Sequence, residues 1–310
     1  MTVINAIGSL PGLGRLIVNS LIDVSEPAER IEFCSKLLPK PLQTRAASFS
    51  NLDATILALK DMEILTDEEG TISLSPAAVT FLLDTELTRS KYRRLLQHFV
   101  FASADVDPWR LTAGDTLTSG TKDINRALSW SLAQDVRSTL TWDKAAGGST
   151  NAELLQKEQL PNAPTLQPFA NDFRWNTFVR WSTALGMAQA ALIGTGIHPD
   201  ATVAIRDVVL EMDAGRQSID KFLGEITDRL PALRGGVLQT SFLELSAVDP
   251  DPEAARGNLD STLAQAVLAL EEELLIKILP TEADASSKTI GLDDSSRRIT
   301  HIEVRGAVSE

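Results

Sequence analysis

Lys91, Arg94 and His98 recur at intervals of three and four residues, the spacing that lines side chains along one stripe of an α-helix. Cationic groups in such a stripe can meet phosphate oxygens, and Arg89 and Arg93 flank the apolar face of the same helix on its other side. Arg297-Arg298 form a second basic pair at the start of an expected strand, where they would lie along a nucleic-acid backbone. The competing reading is a solvated face paired with acidic neighbours, as most surface charge runs are.

Groupings that could catalyse are harder to assemble. His98, His198 and His301 are the only histidines, and none has a second at metal-ligand spacing, so no metal is expected. The chain has no Gly-x-Ser-x-Gly elbow and no Gly-rich phosphate loop ending in Lys-Ser/Thr. No lysine has an acidic residue two positions before it, so the Asp/Glu-x-Lys nuclease signature is missing. Asp200 reads as a helix start. Cys34, the single cysteine, excludes an internal disulfide and sits on an apolar helix face without an activating base, which suits a buried thiol. The expectation is a non-enzymatic protein with no cofactor, with a site dispersed over distant residues as the alternative.

Charge is unevenly spread. The net value is −13, and residues 1–86 carry −6, residues 87–190 carry +3 and residues 191–310 carry −10. Only the middle could approach a duplex without electrostatic cost. The start of the chain lacks the pattern of a signal peptide, and no apolar run approaches the roughly eighteen residues that cross a bilayer, so the cytoplasm and no membrane are expected.

The elements that must position these groups follow from periodicity. Apolar spacing predicts helices over 10–22, 26–38, 51–63, 87–101, 121–136, 200–212, 217–229, 234–245 and 258–275. Asp67-Glu68-Glu69-Gly70 is turn chemistry between two short apolar runs, so a hairpin is expected there. Residues 143–168, rich in Gly, Ser, Asn and Pro, read as an interior loop. Phe169, Phe173, Trp175, Phe178 and Trp181 could stack on single-stranded bases, but at this spacing they read as core. Near the end, Ile276–Leu279 and Lys288–Leu292 read as strands, and Ile299, His301 and Val304 are expected to share one face of a last strand.

One phrase occurs twice. Asn51-Leu52-Asp53-Ala54-Thr55 precedes Leu57-Ala58-Leu59, and Asn258-Leu259-Asp260-Ser261-Thr262 precedes Leu268-Ala269-Leu270 with four extra residues between the parts. Four residues are about one helical turn, so the second helix is expected to be the longer. Each copy runs on into an aliphatic segment and a strand. The fold class is therefore expected to be mainly α with small β wings (α+β). Two winged-helix-like domains, 1–86 and 249–310, would flank a helical middle, 87–248.

In such a unit the third helix usually reads DNA. Here those helices are acidic, with Asp53, Asp61 and Glu63 in the first and Asp260, Glu271, Glu272 and Glu273 in the second. They suit protein docking better than phosphate contact.

Three short blocks resemble one family. Val3-Ile4-Asn5-Ala6 with Leu10-Pro11, Phe173-Arg174-Trp175 through Leu185-Gly186, and Ser296-Arg297-Arg298-Ile299-Thr300-His301-Ile302 are similar to the opening, middle block and last strand of the DpdG family. Those proteins accompany systems that place 7-deazaguanine derivatives in DNA and restrict unmodified DNA. The resemblance implies a place in a multiprotein DNA-modification or phage-defence assembly and carries over no catalytic residue. The expected role is an adaptor that docks other protein subunits, with DNA contact through the complex. The alternative is a DNA-binding regulator using Lys91, Arg93, Arg94 and the Arg297-Arg298 wing.

Overall fold

The computed structural model describes residues 2–24, 27–43, 46–82, 86–102, 107–110, 120–142, 150–192, 196–282, 286–291 and 296–305, with backbone alone at 24, 41, 42 and 46–48. The fold is mainly α with small sheets of two to four strands. Pro11–Val24 (α1) leads to Ala28–Glu29 (β1), Arg30–Leu37 (α2), Lys40–Gln43 (α3) and Ala46–Asp61 (α4). Leu65–Glu68 (β2), Thr71–Leu74 (β3), Pro76–Leu82 (α5) and Arg89–Phe101 (α6) follow. Next come Lys122–Ser131 (α7), Leu140–Thr141 (β4), Thr150–Asn151 (β5), Ala152–Gln159 (α8) and Asp172–Ala184 (α9). Gln189–Ala190 (β6), Ile197–His198 (β7), Thr202–Val209 (α10), Gly215–Ser218 (β8), Ile219–Arg229 (α11) and Val237–Leu245 (α12) continue the chain. Pro252–Ala255 (α13), Ser261–Glu272 (α14), Ile276–Ile278 (β9), Lys288–Ile290 (β10), Arg297–Ile299 (β11) and His301–Val304 (β12) complete it.

Two compact units emerge: Met1–Ile124 with Phe169–Ala184, and Asn125–Pro168 with Leu185–Glu310. The segment 87–248 contributes to both. In the first unit, Phe169, Trp175 and Phe178 cluster with ring centroids 5.0–5.9 Å apart, and the Trp181 indole donates to Ser9 Oγ at 2.9 Å. Phe173 departs from the core expectation: it is 58% exposed, because the buried stripe of α9 runs through Trp175, Phe178 and Trp181. Asp123 is buried and accepts the Ile4 amide at 2.9 Å, tying the start of the chain into this unit.

The second unit contains a four-stranded sheet in the order β5-β4-β7-β6. Part of the expected interior loop is helical instead, since α8 starts where Asn151 caps the Leu154 amide at 2.9 Å. Its buried face includes Gln156 and Gln159 rather than a run of apolar residues, so periodicity gave no signal. Gln159 in turn bonds Trp130 and Gln134 in a buried polar network. Residues 143–149 of that loop, and Asp293, Asp294 and Ser295 of an expected turn, lie outside the described residues.

Each unit holds one copy of a helix–turn–strand module. In the first, β1 leads into α2, then α4, then β2 and β3, with sheet order β1-β3-β2 and every pair antiparallel. In the second, β8 leads into α11, then α14, then β9 and finally β12, with order β8-β12-β9 and again all antiparallel. The second copy inserts the hairpin β10–β11 between its last two strands. Its first strand, at residues 215–218, lies within the expected middle region.

The long helices end identically. The amides of Met62, Glu63 and Ile64 donate to the carbonyls of Ala58, Lys60 and Leu59. Those of Glu273, Leu274 and Leu275 donate to Ala269, Glu271 and Leu270, each 211 positions further on. Glu63 and Leu274 both turn the chain through left-handed backbone, with φ of 63° and 61°. The apolar face follows the same offset, with Leu52, Ile56 and Leu59 buried in one copy and Leu263, Val267 and Leu270 in the other.

The other half of the repeated phrase plays two different parts. Asn51-Leu52-Asp53 lies inside α4, whereas Asp260 caps α14 by accepting the Leu263 amide at 3.1 Å. The second helix is therefore the shorter, 12 residues against 16, opposite to expectation. The last strand is corrected as well. The chain breaks at Thr300 between β11 and β12, so Ile302 and Val304 are the buried pair of β12 and His301 lies on its other side.

Candidate interaction surfaces

The acidic groups of the two long helices serve different ends. Asp53 is bound by Arg30 at 2.7 Å, and the same guanidinium reaches Asp67 at 3.1 Å. Asp61 is half-buried, and burial pushes its carboxyl up to about 6. Glu63 is exposed at the left-handed turn. Asp260 is buried; desolvation first, with Asp251 adding to it, pushes its carboxyl up to about 7. Glu271 accepts Arg297 at 2.6 Å and the Ile278 amide at 3.0 Å. Glu272 is exposed, and Glu273 pairs with Arg206. The outward-facing acids of the repeat thus reduce to Glu63 and Glu272, with Asp53 and Glu273 half engaged.

Beside the first module lies a groove of about 1000 Å³ along the β2–β3 hairpin, lined by Glu68, Glu69, Thr71, Ser73 and Pro27 among others. β2 is an edge strand of its sheet, and β9 holds the same place in the second module. Open strand edges pair readily with an added chain.

The basic residues of α6 divide between its two sides. Thr88 caps the helix by accepting the Lys91 amide at 3.1 Å. Lys91 itself is only 8% exposed, and its ammonium donates to the Leu82 carbonyl at 2.9 Å, at the end of α5. Arg94 is half-buried. His98 is exposed, with its ring 5.1 Å from Phe81 and edge-on to Phe99. Arg93 turns the other way, into a cleft of about 400 Å³ that Arg89 and Tyr92 also line, together with Pro11, Gly12 and Arg15 of α1. On the last hairpin, Arg297 is held by Glu271, while Arg298 donates to Ser287 Oγ at 2.6 Å.

Sequence reasoning did not single out Arg15, and Arg89 entered it only as a flank. Arg89 and Arg93 stand four apart, a usable signal, but nothing short of the fold brings Arg15 to them. Tyr92 is 5% exposed, and its hydroxyl has no hydrogen-bond partner among the described residues. A buried hydroxyl left so costs about 1–3 kcal/mol. Burial of Cys34 pushes its thiol up, which leaves it a poor nucleophile. Asp200 accepts the Thr202 amide at 2.8 Å at the start of α10. Among the described residues no group of three metal-ligating side chains comes together, and no helix is long and apolar enough to cross a membrane.

A model of the DpdG-like family matches residues 1–285, and the chain belongs to that family. The family points to a DNA-modification system. No curated protein and no solved structure matches.

Proposed function

We propose that the chain is a non-catalytic adaptor subunit of a DNA-modification assembly that restricts unmodified DNA, and that each module is a winged-helix-like unit docking a protein partner. One observation carries this reading: the same helix end, left-handed turn and edge strand recur 211 residues apart with the same backbone hydrogen bonds. A module used twice in one chain, with an edge strand in each copy, suits a bridging role. The third helices favour protein over DNA. α14 contains no lysine or arginine, and Lys60 of α4 is bound to Asp67, so neither helix has a free guanidinium for a guanine edge. The acidic groove along β2–β3 would take a basic extended segment.

Reconstitution with the other proteins of the modification system tests this. The adaptor reading expects a complex stable to gel filtration at moderate salt, weakened by Glu63→Lys or Glu272→Lys. A chain that stays alone with every such protein would refute it.

A second reading, a DNA-contacting regulator, is favoured by the arginines of the α1–α6 cleft. It predicts affinity for duplex DNA that falls steeply with salt.

A further inference from the structure

We propose that the first module takes up an extended segment of a protein partner as an added strand on β2, with lysine or arginine at alternate positions of that segment, and that the second module does not bind in this way. This rests on the adaptor reading and narrows it to one copy of the module and one class of partner sequence.

The bonding parity of the hairpin says which groups of β2 face outward. The Ser75 amide donates to the Ile64 carbonyl at 2.9 Å, and the register continues as Leu65 with Leu74, Thr66 with Ser73, Asp67 with Ile72 and Glu68 with Thr71. Bonded and non-bonded pairs alternate along antiparallel strands. Ile64, Thr66 and Glu68 therefore bond across to β3, and Leu65 and Asp67 turn their backbone groups away from it. The sheet order β1-β3-β2 leaves no further strand on that side, and among the described residues neither Leu65 nor Asp67 makes another backbone bond. Leu65 is only 3% exposed, so Asp67 is where an incoming strand would bond first.

The second module shows the same position closed. Ile278 of β9 stands 211 residues after Asp67, and its amide is outward by the same parity, since Leu279 and Arg305 make the bonds to and from β12 on either side. The Glu271 carboxylate accepts that amide at 3.0 Å. A charged side chain laid on an edge strand blocks the pairing of another chain. The residue matching Glu271 in the first module is Lys60. Its ammonium has no acceptor to offer an amide, and it reaches the Asp67 carboxylate instead.

Charge and alternation then select the occupant. Thr66 and Glu68 of β2 share a face with Thr71 and Ser73 of β3, and all four line the groove of about 1000 Å³, with Glu69 at the turn. Glu68 and Glu69 are exposed, and neither has an ion pair among the described residues. An added strand would set every second side chain on that face, next to Thr66 and Glu68. Lysine or arginine there would answer the two glutamates. The intervening side chains would lie beside Leu65 and Asp67. The Asp67 carboxylate is already held by Arg30 and Lys60, so those positions call for neutral residues.

Fluorescence anisotropy with the full chain tests the edge. The probe is a labelled eight-residue peptide that alternates lysine with threonine; its control has the same composition with the lysines together. The alternating peptide should bind about threefold more tightly, and Glu68→Lys/Glu69→Lys should erase its binding without moving the thermal midpoint. N-methylation of every second amide, made in both phases, should cost about tenfold in one phase and little in the other, because only one set of amides faces β2. Lys60→Glu, which copies the second module, should weaken the alternating peptide about tenfold although it makes the surface more acidic. No saturable binding of the alternating peptide overturns the proposal. So does an equal effect of the two methylation phases, or tighter binding to Lys60→Glu, since either means contact by charge alone. The peptides involve no protein of the modification system, so failure here and failure of the reconstitution are separate results.

Discussion

The two modules close their long helices with the same backbone bonds and opposite charges. Lys60, the penultimate residue of α4, reaches across to Asp67 on β2. Its counterpart 211 positions on is Glu271, which reaches Arg297 on β11 and the Ile278 amide on β9. Helix and sheet are stitched in both places, but the sign is reversed. What recurs is the apolar stripe, Leu52, Ile56 and Leu59 against Leu263, Val267 and Leu270, and the left-handed residue that turns the chain. The fold of the module therefore lives in packing and backbone geometry, and its charges were left to vary. The setting varies too: the unit holding the first module has 14 Lys/Arg and 17 Asp/Glu, and the other has 15 and 25. The cationic cleft belongs to the less acidic unit.

If packing carries both modules, cutting the stripe should hurt them alike. Leu59→Ala and Leu270→Ala should each cost about 2–5 kcal/mol in chemical denaturation. A cost confined to one of them would break the equivalence.

Titration should separate the modules. The Asp260 carboxyl sits at about 7 in the folded chain, above its ordinary range. A raised acid binds its proton more firmly when folded, so its contribution is full below the ordinary aspartate range and is lost as pH rises through about 7. Asp260→Asn, which can still cap α14, should flatten the loss of stability between about pH 5 and about pH 8. Asp61, at about 6, should produce a similar fall in the first unit that ends at lower pH. An unchanged profile in Asp260→Asn would show that this carboxyl is not the cause.

The turns offer a smaller test. Left-handed backbone disfavours side chains with a Cβ by about 1–2 kcal/mol, part of which glycine returns as chain entropy. Glu63→Gly and Leu274→Gly should each stabilise by about 0.5–1 kcal/mol on that balance. Smallest of all are the stitches. Lys60→Met and Glu271→Met should each cost less than about 1 kcal/mol, since both pairs are partly exposed. Arg30 still holds Asp67 in the first case. A larger loss would mean that charge, and not packing, closes the module.

Much of this was legible in the residues. Period-3.6 stripes marked the helices that carry apolar faces, and the doubled Leu-Ala-Leu phrase marked the matched helix ends. The copies diverge where one residue type has two uses: Asp53 is mid-helix and paired, and Asp260 is a cap, yet the letters around them agree. α8 was missed because glutamines fill part of its buried face. The stripe Lys91, Arg94, His98 was visible as spacing, but spacing does not say which side of a helix is covered, and Lys91 turned inward to a carbonyl. The cleft depends on Arg15 meeting α6 across more than seventy residues of chain, a distance that no local pattern encodes.

The most direct measurement for the central claim is an affinity capture of the tagged chain from its native cell, treated with nuclease and washed at low and moderate salt. The adaptor account predicts that components of the DNA-modification system stay bound through both treatments, and that Glu63→Lys or Glu272→Lys releases some of them. Loss of every partner on nuclease or salt would contradict it and favour the DNA-contacting regulator instead.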